Sequence, residues 1–148
     1  SDRYVGKIFR YLFGRVGSAP EAEDLTSQTF LAALEALPRY QDKGYFSTWL
    51  FAIARSKVMD FFRQRPEAAL DENLVENPEI LAGMARSDEI HLLTGLVRSL
   101  AGAERELLAL RYVADLSFAE MAALLGKNEA AVKKSLYRLL ARLQSQME

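Results

Sequence analysis

Asp115-Leu-Ser-Phe-Ala-Glu-Met-Ala-Ala-Leu-Leu-Gly-Lys-Asn-Glu-Ala-Ala-Val-Lys-Lys-Ser-Leu-Tyr-Arg138 is the stretch on which the fold turns. Ser117 is a natural N-cap, and Glu120 three residues later completes a capping box. Met121, Leu124 and Leu125 continue an apolar face begun at Phe118. Gly126 suits the left-handed backbone that ends a helix, and Asn128 suits the cap of the next. A turn this short forces two helices to cross, the geometry that carries a second helix into a DNA major groove. That second helix has Val132, Leu136, Leu139, Leu140 and Leu143 at packing spacing and leaves Lys133, Lys134, Tyr137 and Arg138 facing outward. A helix-turn-helix with a basic outer face points to duplex DNA.

Working outward, strand signals are nearly absent, and the expected fold class is all-α. A first helix covers about Asp2 to Arg15, with Val5, Ile8, Phe9 and Leu12 on one face. Gly17 to Pro20 breaks it, and Ser18 with Glu21 makes a second capping box. The next helix runs to about Leu37, and its periodicity buries Leu25, Phe30, Leu31, Leu34 and Leu37. Pro38 to Phe46 is a loop rich in charge and aromatics. Ser47 is expected to cap a third helix through Arg65, whose stripe is Trp49, Leu50, Ile53, Ala54, Val58 and Phe61. Glu67 to Pro78 reads as an acidic linker with little structure of its own. Helical spacing returns at Leu81, Met84, Leu92, Leu93, Leu96, Val97 and Leu100, interrupted near Ser87. Ala103 to Ala114 reads as one helix before the helix-turn-helix. The expected architecture is two small helical domains joined by an acidic linker: residues 1–66, a linker at 67–90, and 91–148.

At 148 residues, half of them hydrophobic, the chain has material for a core. No apolar run reaches bilayer length and no signal peptide is visible, although the chain begins at Ser1 without a methionine. The absence of cysteine removes disulfides and thiolate metal sites within these residues, and the expected compartment is the cytoplasm. Net charge of −1 conceals a pattern: residues 1–66 carry +3, residues 67–103 carry −5 and residues 104–148 carry +1. Two mildly basic blocks around an acidic middle resemble two binding modules on a spacer; ordinary surface variation is the plainer account.

Catalytic chemistry finds little support. The single histidine, His91, has no metal-spaced partner and reads as an exposed or half-buried structural residue. No Gly-rich loop follows a strand, and no cofactor or metal is expected. Glu21, Glu23 and Asp24 lie in a helix first turn, where they complement the macrodipole. Nucleic-acid chemistry is better represented, in two modes. On the second helix of the turn motif, Lys133, Lys134 and Arg138 suit phosphates or guanine acceptors, Tyr137 suits a sugar or thymine methyl, and Lys127 and Asn128 suit the backbone. In the first block, Arg39, Tyr40, Gln41, Lys43, Tyr45 and Phe46 interleave rings with cations, which suits unpaired or flipped nucleotides. Arg55, Lys57, Arg63 and Arg65 continue a phosphate track. Trp49 reads as core; Tyr40, Lys43 and Tyr45 read equally as contacts or as incidental surface.

Three motifs carry a family resemblance: Ala22-Glu-Asp-Leu-Thr-Ser-Gln-Thr-Phe-Leu31 leading to Ala36-Leu-Pro-Arg-Tyr40; Phe46-Ser-Thr-Trp-Leu-Phe-Ala-Ile-Ala-Arg55 with Asp60 and Arg63; and Glu104-Arg-Glu-Leu-Leu-Ala-Leu-Arg-Tyr112 running into Leu116-Ser-Phe-Ala-Glu-Met-Ala. In this order they resemble bacterial sigma factors of the extracytoplasmic-function (ECF) group. The resemblance implies a promoter-specificity subunit of RNA polymerase without catalysis of its own. It implies that Asp24, Gln28 and Leu31 face the clamp coiled coil of core RNA polymerase. It implies that Arg39, Tyr40, Lys43, Tyr45, Phe46, Arg55, Ser56 and Arg63 melt and read the proximal promoter element. It also implies that Lys127, Asn128, Lys133, Lys134, Tyr137 and Arg138 read the distal element, that the second domain holds the polymerase flap, and that an anti-sigma factor is a partner.

The chain departs from the family pattern at Ser56, where Asn is common and a shorter hydroxyl lacks the two-sided amide contact. It departs again at Ala130 and Ala131, which lack a hydroxyl for phosphate, and in a slightly short first helix. A stand-alone helix-turn-helix regulator, dimeric on a palindrome, is the rival reading, and a helical adaptor without DNA binding is the third.

Overall fold

The computed structural model describes residues 2–41, 44–70 and 88–148, all of whose regular elements are helical. The elements are α1 (Asp2–Val16), α2 (Ala19–Ala36), a 3-10 turn (Leu37–Arg39), α3 (Phe46–Gln64), a second 3-10 turn (Pro66–Leu70), α4 (Asp88–Arg98), α5 (Gly102–Leu108), α6 (Phe118–Leu125) and α7 (Glu129–Met147). The all-α expectation holds. The acidic linker falls mostly on residues 71–87, outside the described residues, as do Leu81, Met84 and Ser87; at its start, Pro66–Leu70 forms a 3-10 turn rather than open chain.

Local chemistry explains most boundaries. Ser117 Oγ accepts from the Glu120 N–H at 3.1 Å while the Glu120 carboxylate accepts from the Ser117 N–H at 2.9 Å, so the expected capping box is complete. Gly126 ends α6 at φ +64°, and Asn128 caps α7 by accepting from the N–H groups of Ala130 and Ala131. The box expected at α2 is only half formed. Ser18 Oγ lies 3.5 Å from the Glu21 N–H, and the Glu21 carboxylate is taken at 2.5 Å by Arg65, the residue that caps the end of α3. Ser47 is not the cap of α3. The helix starts one residue earlier, Tyr45 is its N-cap, and the Ser47 hydroxyl shares a 3.2 Å hydrogen bond with Tyr4 Oη.

The helix expected over 103–114 changes pitch midway. Ala109–Val113 is a π segment closed by the Ala114 N–H on Ala109 O at 2.9 Å. Asp115 then turns at φ +58°, a left-handed backbone that Asp tolerates, and Arg111 Nη1 donates to Leu116 O across the bend. This delivers Leu116 to the core before α6 begins.

Ile8, Tyr11, Leu12, Phe51 and Ala54 of α1 and α3 share one buried apolar cluster with Leu110, Leu116 and Met121 of the C-terminal half. The halves therefore pack as one body, with α3 against α6 and α1 against the π segment. Tyr11 and Phe51, neither on the expected stripes, meet edge to face at 5.7 Å inside it. On α2 the expectation fails in an informative way. Leu25 is buried, but Leu31, Leu34 and Leu37 are exposed, and Ala22, Thr29 and Ala33 face inward instead. Small residues let α2 lie close to α1 and α3, and its larger side chains form an outer ridge. Val5, Leu92 and Leu93 are likewise more exposed than their spacing suggests.

Candidate nucleic-acid interface

The C-terminal site is built on α7, whose Val132, Leu136, Leu139 and Leu143 are buried at helical spacing. That fixes the opposite face. Lys127, Lys133, Lys134, Tyr137 and Arg138 are all exposed, as the sequence predicts. Tyr137 leans edge-on against Phe118 of α6 at 5.9 Å, and Lys133 Nζ lies 5.8 Å and 5.9 Å from the two ring centres. The two rings and the ammonium support one another at the crossing of α6 and α7. Asn128 has its carboxamide oxygen committed to the cap, leaving the amide N–H donors for a phosphate.

The N-terminal site centres on an aromatic group at the start of α3. Tyr40 lies 4.6 Å from Trp49 and 5.9 Å from Phe46; Phe46 lies 5.6 Å from Trp49, and Tyr4 of α1 closes on Phe46 at 5.3 Å. Trp49, read from sequence as core, is half-buried and belongs to this surface group. Tyr45 is exposed beside it, Arg39 is exposed at the end of α2's 3-10 turn, and Lys43 lies outside the described residues. Further along α3, Arg63 is exposed and paired with Asp60 one turn earlier. Ser56 is exposed, but its hydroxyl donates to Ile53 O at 2.6 Å, so only its lone pairs face outward.

Arg55 is different: it points at the C-terminal half. Its Nε donates to Glu106 Oε1 at 2.9 Å, and Tyr11 Oη donates to Glu106 Oε2 at 3.0 Å. Arg15 Nε lies 3.8 Å from the same Oε2. Burial, with the Glu106 charge second, pushes the Tyr11 phenol far above its usual value, so it remains a donor. Two arginines cross between the halves nearby. Arg15 Nη1 donates to Gly102 O and Arg105 Nη2 to Gly14 O; burial, then the Arg15 charge, lowers the Arg105 pKa. Arg55 also lines a cleft of about 380 Å³ with Lys127, Ser135, Arg138 and Arg142, which brings residues of both expected sites together. Sequence reasoning missed Tyr11, Arg15 and Glu106. No local signal marks them, because their partners lie far away in sequence.

On α2, Asp24 and Gln28 are exposed and joined by a 2.7 Å hydrogen bond, with Leu31 next on the same face. Leu31 at 61% and Leu34 at 66% exposure extend it as an apolar ridge toward Leu37. Among the described residues there is no cluster of metal-ligating side chains and no helix long and apolar enough to cross a membrane.

Residues 2–66 match the family model of sigma-70 region 2, and residues 90–143 match sigma-70 region 4. The ECF RNA polymerase sigma factor SigD of Mycobacterium tuberculosis is 35% identical over 95% of this chain and 71% of its own length. The chain belongs to the ECF sigma factor family. BldN of Streptomyces coelicolor, another ECF sigma factor, is 39% identical over 96% of the chain, which spans only 56% of BldN's length. Solved structures share the fold: CnrH, in complex with the cytosolic domain of CnrY, superposes with a TM-score of 0.71 at 24% identity, covering 97% of this sigma factor and 82% of that chain. RpoE of Bartonella quintana, in complex with the anti-sigma factor NepR, gives 0.71 at 18% identity, covering 97% and 91%.

Proposed function

We propose that the chain binds core RNA polymerase and directs promoter-specific initiation, using residues 1–66 and 91–148 as separate recognition units joined by 67–90. The observation that carries this is the presence of both sigma regions, in order, on a chain whose α7 presents a basic face from a capped helix-turn-helix. In this reading Lys127, Asn128, Lys133, Lys134, Tyr137 and Arg138 contact the distal element as duplex. Arg39, Tyr40, Lys43, Tyr45, Phe46, Arg55, Ser56 and Arg63 engage the proximal element once it is unpaired, with the ring group as a stacking platform. Asp24, Gln28 and Leu31 meet the polymerase clamp, and Leu34 and Leu37 extend that contact. The polymerase supplies the chemistry; this chain acts without catalysis of its own, in the cytoplasm, and an anti-sigma factor is its regulator.

The experiment is promoter selection from a random-sequence duplex library with and without core polymerase. A two-part element enriched only with core, with permanganate-reactive thymines in the proximal part, supports the proposal. A palindrome enriched by the chain alone replaces it with the stand-alone regulator.

A further inference from the structure

Phe118 is the first residue of α6, set there by the Ser117 cap, and it is half-buried at the rim of the core. Packing alone would be met by a leucine. The ring has neighbours that packing does not call for. The Arg111 guanidinium carbon lies 4.3 Å from its centre and Lys133 Nζ 5.8 Å, while the Tyr137 ring meets it edge-on at an interplanar angle of 64°. Arg111 comes from the π segment and also donates Nη1 to Leu116 O, so one side chain braces both the bend at Asp115 and the Phe118 ring. On α7, Lys133 and Tyr137 stand one turn apart on the same face, which accounts for their own contact at 5.9 Å. Phe118 adds a second ring, from a different helix. Among the described residues, Lys133 is the α7 cation that rings hold; Arg142 is held by Glu104 instead.

An exposed lysine carries its charge on a long, flexible stem, and ordering that stem on a duplex costs affinity. Rings that hold the ammonium beforehand remove part of this cost. We propose that Phe118 is a positioning residue for the distal promoter element: acting through Lys133 and Tyr137, it holds the ammonium and the phenol ring in the arrangement that meets the duplex. The inference rests on the proposed roles of Lys133 and Tyr137 at that element. Its signature differs from that of a lost contact. A lysine freed from the rings still reaches its phosphate and still releases a counterion, so the salt slope stays while affinity falls at every salt concentration. Removal of the lysine itself lowers the slope.

Two variants test this. Phe118→Leu keeps an apolar side chain and removes the ring; Phe118→Tyr keeps the ring. With core polymerase and the selected two-part promoter as duplex, Phe118→Leu is expected to bind about fivefold more weakly than the parent at an unchanged salt slope. Phe118→Tyr is expected to bind within about twofold of the parent. Placed on Lys133→Ala with Tyr137→Ala, Phe118→Leu is expected to have no further effect. The free chain gives a reading without polymerase or DNA. Ring currents displace the Lys133 Cε proton resonances, which are expected to return to the free-lysine position in Phe118→Leu and to stay displaced in Phe118→Tyr. A full loss of binding by Phe118→Leu in the substituted background, or a Phe118→Tyr chain as weak as Phe118→Leu, shows that the ring only packs and overturns the proposal. Unchanged binding by Phe118→Leu overturns it too. Lys133 resonances at the free-lysine position in the parent overturn it whatever the variants do, including a Phe118→Leu chain that fails to fold. A parent chain that selects no two-part promoter with core polymerase refutes the sigma reading instead; the same comparison on the duplex that the chain selects alone then decides the role of Phe118.

Discussion

At the scale of single residues, Tyr11 and Glu106 show how one polar pair sits inside an apolar contact. Tyr11→Phe leaves a buried carboxylate one donor short, and a loss of about 1.5–3 kcal/mol in urea-unfolding stability is expected. The same substitution has a pH signature. The folded phenol is held far above its usual value, so Tyr11's contribution is complete while the unfolded phenol is also neutral, below about pH 10. As pH rises beyond that, the unfolded chain ionises first and stability falls. The decline of the urea midpoint between about pH 9 and 11 is therefore expected to be shallower in Tyr11→Phe than in the parent chain. None of this was legible in the sequence. Tyr11 lies off the Val5–Ile8–Leu12 stripe, and Glu106 looks like any surface acid until its partners, some 50 to 95 residues away in sequence, fold against it. Asp24, Gln28 and Leu31, by contrast, are exposed as the family resemblance implied, against the helical periodicity that put Leu31 inside.

At the scale of elements, the helix-turn-helix was readable because its punctuation is local. A cap, a capping partner three residues on, a glycine and a second cap each act within a turn of chain. Ser117→Ala is expected to cost about 1 kcal/mol, seen as a lowered thermal midpoint. Gly126→Ala, forced into a left-handed backbone, is expected to cost about as much again. Lys133→Ala with Arg138→Ala should leave stability nearly unchanged. It should weaken duplex binding by the holoenzyme and lower the salt slope by about 2, because phosphate contacts release counterions; an unchanged slope removes these side chains from the interface. The elements that misled were those whose partners are distant. α2 looked amphipathic on its leucines, yet its alanines and Thr29 pack inward because α1 and α3 approach closely. α3 begins one residue before Ser47, whose hydroxyl is hydrogen-bonded with Tyr4 of α1 rather than capping the helix.

For the whole molecule, the ridge of Leu31, Leu34 and Leu37 and the basic face of α7 lie on the outside, whereas Arg55 is turned inward. Leu31→Asp with Leu34→Asp should change folding stability by no more than about 0.5 kcal/mol, since neither side chain is in the core. It should sharply reduce co-purification with core polymerase; undiminished recovery would place the polymerase contact elsewhere. The shared cluster of Ile8, Tyr11, Phe51, Leu110 and Met121 also has a bearing on heredity and engineering. Halves that meet through a matched set of side chains do not evolve independently, however separable their targets are. A chimaera given a foreign turn motif to redirect its promoter choice inherits a stranger at the seam. Such grafts should fold best when the donor supplies a carboxylate opposite Tyr11, Arg15 and Arg55.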